Sequence, residues 1–230
     1  MERGFKWIVY FFGAILLLAP IGFHRYIGSF PLFEGRTITV HFHAAMMVLW
    51  CVLLITQPIL IQTRNKKVHA LLGQISFGLV PIIVLSMLAM ISYSYQRMQG
   101  VISEESNLAD AMLPFTQLLL FAVFYILAMI YKSDIKIHMR YIIISSVSLL
   151  GPTVGRIDFG AIGIHTLGYR IDLFAMDLIL AGFCFYDLVN KRNRVTFFIG
   201  FIAYATAHIA IAQWTHTPLW QTIARAIIFT

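Results

Sequence analysis

The chain is poor in charge. Asp, Glu, Lys and Arg make up 12% of its 230 residues, where soluble domains run at about a quarter. It has two cysteines, Cys51 and Cys184. Both sit inside apolar runs, so there is no disulfide framework and no CxxC metal site, and both read as small buried hydrophobes. No internal repeat, low-complexity stretch or linker interrupts it, and residues 1–230 read as a single transmembrane helical domain. A retinal protein would need a lysine deep in a late helix for its Schiff base, and the segment 195–214 has none.

Apolar residues are abundant instead. Hydrophobic residues account for 60% of the chain, and mean hydropathy is +0.81. A membrane-spanning helix needs about 20 mostly apolar residues. Seven segments qualify, at 7–23, 38–61, 71–95, 113–131, 137–154, 171–189 and 195–214. The fold class expected is an all-α polytopic membrane bundle of seven transmembrane helices. The first segment starts with Arg3 and Lys6 but lacks a small-residue cleavage pattern, so it is read as a retained helix and not as a leader.

The net charge of +7 could suit nucleic acid, but its distribution is that of membrane topology. Eleven of the seventeen basic residues, including every lysine, fall in the ends and connections that share a side with the N-terminus. By the positive-inside rule the N-terminus is cytoplasmic and the C-terminus outside. This is the pattern expected of a bacterial cytoplasmic membrane protein that meets lipid and no nucleic acid. The outer connections are longer, and the one after the third segment carries Glu104, Glu105 and Asp110. In the tail 218–230, Leu219, Trp220, Ile223, Ile227 and Ile228 recur at helical spacing. It reads as an interfacial amphipathic helix or a packed terminal turn.

Ionisable side chains at membrane depth mark candidate sites. His43, Asp177 and His208 each lie six residues in from the outer end of their segments, a depth of about 9 Å. His41 is shallower, and Arg156, Asp158 and Asp172 lie nearby at the outer ends. Three segments therefore offer a titratable group at one level, and His41, His43, Asp177 and His208 form a candidate metal set. His41 and His43 point about 200° apart on a helix, so both cannot easily serve one ion. Met46 and Met47 share the His43 face, which suits copper or plain core packing. At the inner boundary His69 and His138 open two further segments beside lysines. They are either headgroup-level residues or a second ligand pair. The step Gln57-Pro58 is expected to kink the second segment and free a carbonyl.

The runs H-F-H-A-A-M-M-V-L-W and Q-P-I-L-I, then V-H-A-L-L-G-Q-I-S, then K-I-H-M-R-Y and G-P-T-V-G-R-I-D resemble a group of uncharacterised bacterial multipass membrane proteins. The likeness covers the second to fifth segments, about half the chain. By arrangement alone the chain also resembles b-type membrane cytochromes of the cytochrome b561 kind, without their ligand spacing. That likeness implies haem held by one histidine pair per leaflet, here His43 with His208 and His69 with His138. The leading expectation is a membrane-embedded metal- or haem-binding redox protein or metal-dependent enzyme. Its cofactor would be haem b or a transition metal (Fe, Zn or Cu), and its substrate a quinone or another lipid-like molecule. The alternatives are a proton-coupled transporter and a non-catalytic lipid-binding or assembly protein.

Overall fold

A computed structural model describes residues 6–28, 37–157, 171–192 and 194–228, with Arg194 described in its backbone only. Arg3 and Asp158, used in the reading above, lie outside the described residues. Among the described residues the protein is helical, with no strand. The helices are α1 (Ile8–Gly22), α2 (His24–Ile27), α3 (Ile38–Gln62), α4 (Lys66–Met98), α5 (Glu104–Asp110), α6 (Met112–Ile130), α7 (Ile135–Val147), α8 (Leu150–Val154), α9 (Ile171–Val189), α10 (Arg194–Trp214) and α11 (Pro218–Ile227).

Among the described residues five helical stretches are long and apolar enough to cross a membrane: Ile38–Gln62, Lys66–Met98, Glu104–Ile130, Ile135–Val154 and Val195–Trp214. The chain is therefore a helical membrane protein. The two remaining expected spans fall short of that measure for different reasons. α1 has only 15 residues. α9 is 19 residues long but carries Asp172, Asp177 and Asp187.

Local chemistry explains the boundaries. Asn65 caps α4 by accepting from Val68 N, and Asp134 caps α7 by accepting from Lys136 and Ile137 N. These caps satisfy backbone N–H groups that the first turn leaves open. The acidic connection after the third segment contains α5. Ser103 caps it and Glu104 and Glu105 occupy its first turn, where negative charge suits the helix dipole. The segment expected to run unbroken over 137–154 is interrupted at Ser148 and Leu149. Ser145 and Ser146 both donate back to Ile142 O, and Ser148 donates to Ser145 O. Such back-bonding bends helices. α3 stays helical through Pro58.

Side-chain contacts align the helix ends. Trp7 at the start of α1 stacks on Phe183 near the end of α9, at 5.6 Å between ring centroids. Gln62 at the end of α3 donates to Lys6 O, and His138 on α7 meets Ala128 near the end of α6. All six lysines, Lys6, Lys66, Lys67, Lys132, Lys136 and Lys191, therefore gather at one end, the basic end. At the far end α11 closes the bundle. Pro218 starts it behind the Thr217 cap. Trp220, Ala224 and Ile228 bury against Ile91, Leu108, Ala111, Met112 and Ile211, and Trp220 Nε1 donates to Leu108 O at 2.8 Å. The tail is thus a packed helix, with Leu219 and Ile223 left on its exposed side.

Lipid tails are as apolar as leucine, so close packing decides how membrane helices associate. α1 lies close against α8. A Cβ on Gly22 would overlap the backbone oxygen of Thr153, which cannot swing aside as a side chain can. Gly182 has open space around the same position. Gly22→Ala should lower stability by about 1–3 kcal/mol, while Gly182→Ala should hold or raise it, since alanine is the better helix former. Thermal unfolding in detergent separates the two, and equal midpoints would contradict the packing described.

Candidate functional site

α9 and α10 pack as an antiparallel pair, and they bring Asp177 and His208 together. His208 Nδ1 lies 2.9 Å from Asp177 Oδ2, with the imidazole 8% exposed and the carboxylate 27% exposed. Tyr204, one turn before His208, presents its ring edge-on to the imidazole at 5.8 Å. Its hydroxyl donates to Ile144 O at 2.9 Å, tying α10 to α7. An ionised carboxylate only accepts, so the imidazole then donates through Nδ1, and in the neutral ring a lone pair is turned out at Nε2. His208 Nε2 and Asp177 Oδ1 are both buried with no hydrogen-bond partner.

The other residues of the candidate metal set are engaged elsewhere. His43 Nδ1 lies 3.0 Å from Ser86 Oγ on α4. Ser86 gives its own hydroxyl proton to Ile83 O, so His43 donates through Nδ1 and also keeps Nε2 as an acceptor. His41 Nδ1 lies 2.8 Å from the Tyr26 hydroxyl on α2. The two histidines turn to different partners, as their spacing on one helix requires. Arg156 sits within electrostatic reach of His43, and its guanidinium lies 4.8 Å from the centroid of the Phe23 ring. Met46 and Met47 pack against the main core. Among the described residues no three His, Cys, Asp or Glu side chains converge in a group that could hold a metal ion. The geometry thus joins Asp177 to His208 and gives His41 and His43 partners of their own.

At the basic end, Gln57 Nε2 donates to His69 O at 3.3 Å. His138 Nδ1 donates to Ala128 O at 2.8 Å. Gln57 thus ties α3 to α4.

One pair escaped the sequence reading. Arg140 on α7 and Asp187 on α9 form a two-pronged ion pair, Nε to Oδ2 at 2.6 Å and Nη2 to Oδ1 at 2.9 Å. Both side chains are fully buried. Nη1 donates to Lys136 O, and the guanidinium lies 5.6 Å from the Phe197 ring centroid on α10. Both carboxylate oxygens are used, so this is a lock between three helices with no open position for a ligand. Arg140 is one of the eleven basic residues counted on the side of the N-terminus, and it stands there fully buried in this ion pair. The available signal was that both residues stand inside apolar segments with opposite charges.

No family model, curated protein or solved structure matches the chain. The site is read from its own chemistry.

Proposed function

We propose that the protein is a membrane-embedded metal- or haem-binding redox protein whose centre lies at His208. The observation that carries this is the buried, unpartnered Nε2 of an imidazole whose Nδ1 is held by a carboxylate. Metal-bound histidines characteristically have the second ring nitrogen fixed in this way, which sets the tautomer and raises ligand basicity. Asp177 is then the orienting partner and His208 the donor. Among the described residues no third ionisable donor converges, so His208 would serve as one ligand of haem b, or of an Fe, Zn or Cu ion completed by solvent or substrate, rather than as part of a closed metal site. Such a group would supply electron transfer or polarise a bound oxygen atom. The protein supplies a dry surrounding, an oriented imidazole and a fixed proton on Nδ1. Its substrate would be a quinone or another lipid-like molecule that enters from the bilayer.

In this reading all seven expected segments cross a bacterial cytoplasmic membrane, with the N-terminus cytoplasmic and the dyad in the outer leaflet. Pairing supports the inclusion of α9, because Asp187 is neutralised by Arg140 and Asp177 is bonded to His208, which lowers the cost of placing carboxylates in the bilayer.

The test is an absorption spectrum with elemental analysis of the purified protein. The expected result is a Soret band or stoichiometric metal that disappears in His208→Ala. A colourless, metal-free preparation sinks the proposal. It would favour the second reading, a proton-coupled carrier, which the isolated dyad also supports because two groups suffice to hold a proton.

A further inference from the structure

The basic end holds donor atoms that the outer dyad leaves unexplained. Gln57 on α3 meets His69 at the start of α4, and His138 opens α7 at the same end. The amide of Gln57 is anchored by its bond to His69 O, and its Oε1 is buried with no partner. His69 Nδ1 is likewise buried with no partner. His138 lies within electrostatic reach of His69. His138 gives its Nδ1 proton to Ala128 O, so in the neutral ring its Nε2 keeps a free lone pair. Leaving a buried polar atom unsatisfied costs about 1–3 kcal/mol, and here two such atoms belong to residues bonded to one another. An occupant that accepts lone pairs would remove both penalties.

We propose that Gln57, His69 and His138 form a binding site for one divalent transition-metal ion of the zinc class, separate from the His208 centre. Two imidazole nitrogens and an amide oxygen suit borderline ions such as Zn²⁺, Co²⁺ and Cu²⁺. A haem is a poor fit. The open atom of His69 is Nδ1, next to the ring carbon that joins the backbone, where a macrocycle would strike the helix and a bare ion would not. Water completes the shell. Lys66, Lys67, Lys132 and Lys136 are exposed at the same end, and the Lys132 ammonium lies 5.9 Å from the Phe77 ring centroid on α4. Their charge opposes a cation, so the site binds more weakly than a closed four-ligand zinc site.

The experiment uses the full chain in detergent, stripped with chelator, in a His208→Ala background that removes the outer donor. Titration with Co²⁺ should show one equivalent bound, with visible ligand-field bands that Zn²⁺ abolishes. Adding His69→Ala or His138→Ala should weaken binding at least about tenfold, and Gln57→Ala should weaken it less. No Co²⁺ binding, or unchanged affinity in the His69→Ala/His138→Ala chain, overturns the site. A second measurement is independent of whether those variants fold. Cu²⁺ bound to the His208→Ala chain should show electron paramagnetic resonance coupling to two imidazole nitrogens, and coupling to fewer overturns the proposal.

Discussion

Arg140→Ala and Asp187→Ala should each destabilise the bundle by about 3–5 kcal/mol, because each strands a fully buried charge. The loss exceeds that of a surface ion pair, which contributes about 0–1 kcal/mol. The exposed Arg225–Glu104 pair between α11 and α5, and the His216–Glu105 pair from the turn before α11 to α5, are of that weak kind. The buried pair also fixes geometry. It holds the start of α7 to the end of α9, and the Phe197 ring extends the contact to α10. Replacing both partners, as in Arg140→Met with Asp187→Leu, removes the attraction together with the desolvation penalty. Buried ion pairs replaced by apolar groups of similar volume often come out neutral or more stable. Unfolding midpoints in detergent should therefore drop together in the two single variants and recover in the double variant. Single variants within about 1 kcal/mol of the parent would show that water reaches the pair and that it is no lock.

The same two residues show what the sequence could and could not reveal. Segment lengths and apolar content exposed the long helices directly, because the bilayer imposes a length that composition reports. Depth counting along those segments placed Asp177 and His208 at one level, and they meet at 2.9 Å. It also placed His43 there, yet His43 turns to Ser86. Depth fixes height along the bundle axis but says nothing about which neighbour a helix face meets. The Arg140–Asp187 pair spans 47 residues of sequence, and no local spacing announces a contact of that range. Its trace was two opposite charges inside apolar segments, which the topology rule absorbs as an ordinary basic loop residue. The break after Ser148 was obscured for a local reason. Serine side chains returned to the backbone cost little hydropathy, so a bent helix and a straight one share the same profile. α5 was legible in principle from its Ser103 cap and following glutamates, but seven residues are too few for a clear apolar periodicity.

If His208 ligates a metal or haem as proposed, Asp177→Asn should weaken its binding by about 10–100-fold, the usual loss when an orienting partner of a ligating histidine is changed. The substitution keeps the shape of the side chain. It replaces an acceptor-only carboxylate by an amide that can turn its NH₂ toward the ring. Nδ1 is then no longer obliged to carry the proton, and the lone pair at Nε2 is no longer guaranteed. Tyr204→Phe makes the opposite change. It leaves the Asp177–His208 bond in place but removes the hydroxyl that satisfies Ile144 O, a loss of about 1–3 kcal/mol of stability. The two variants should therefore separate two measurements on the same protein. Asp177→Asn should lower cofactor or metal content while the melting midpoint holds. Tyr204→Phe should lower the midpoint while content holds. If Asp177→Asn lowers only the midpoint, the dyad is a packing contact between α9 and α10, and the unpartnered Nε2 serves no ligand.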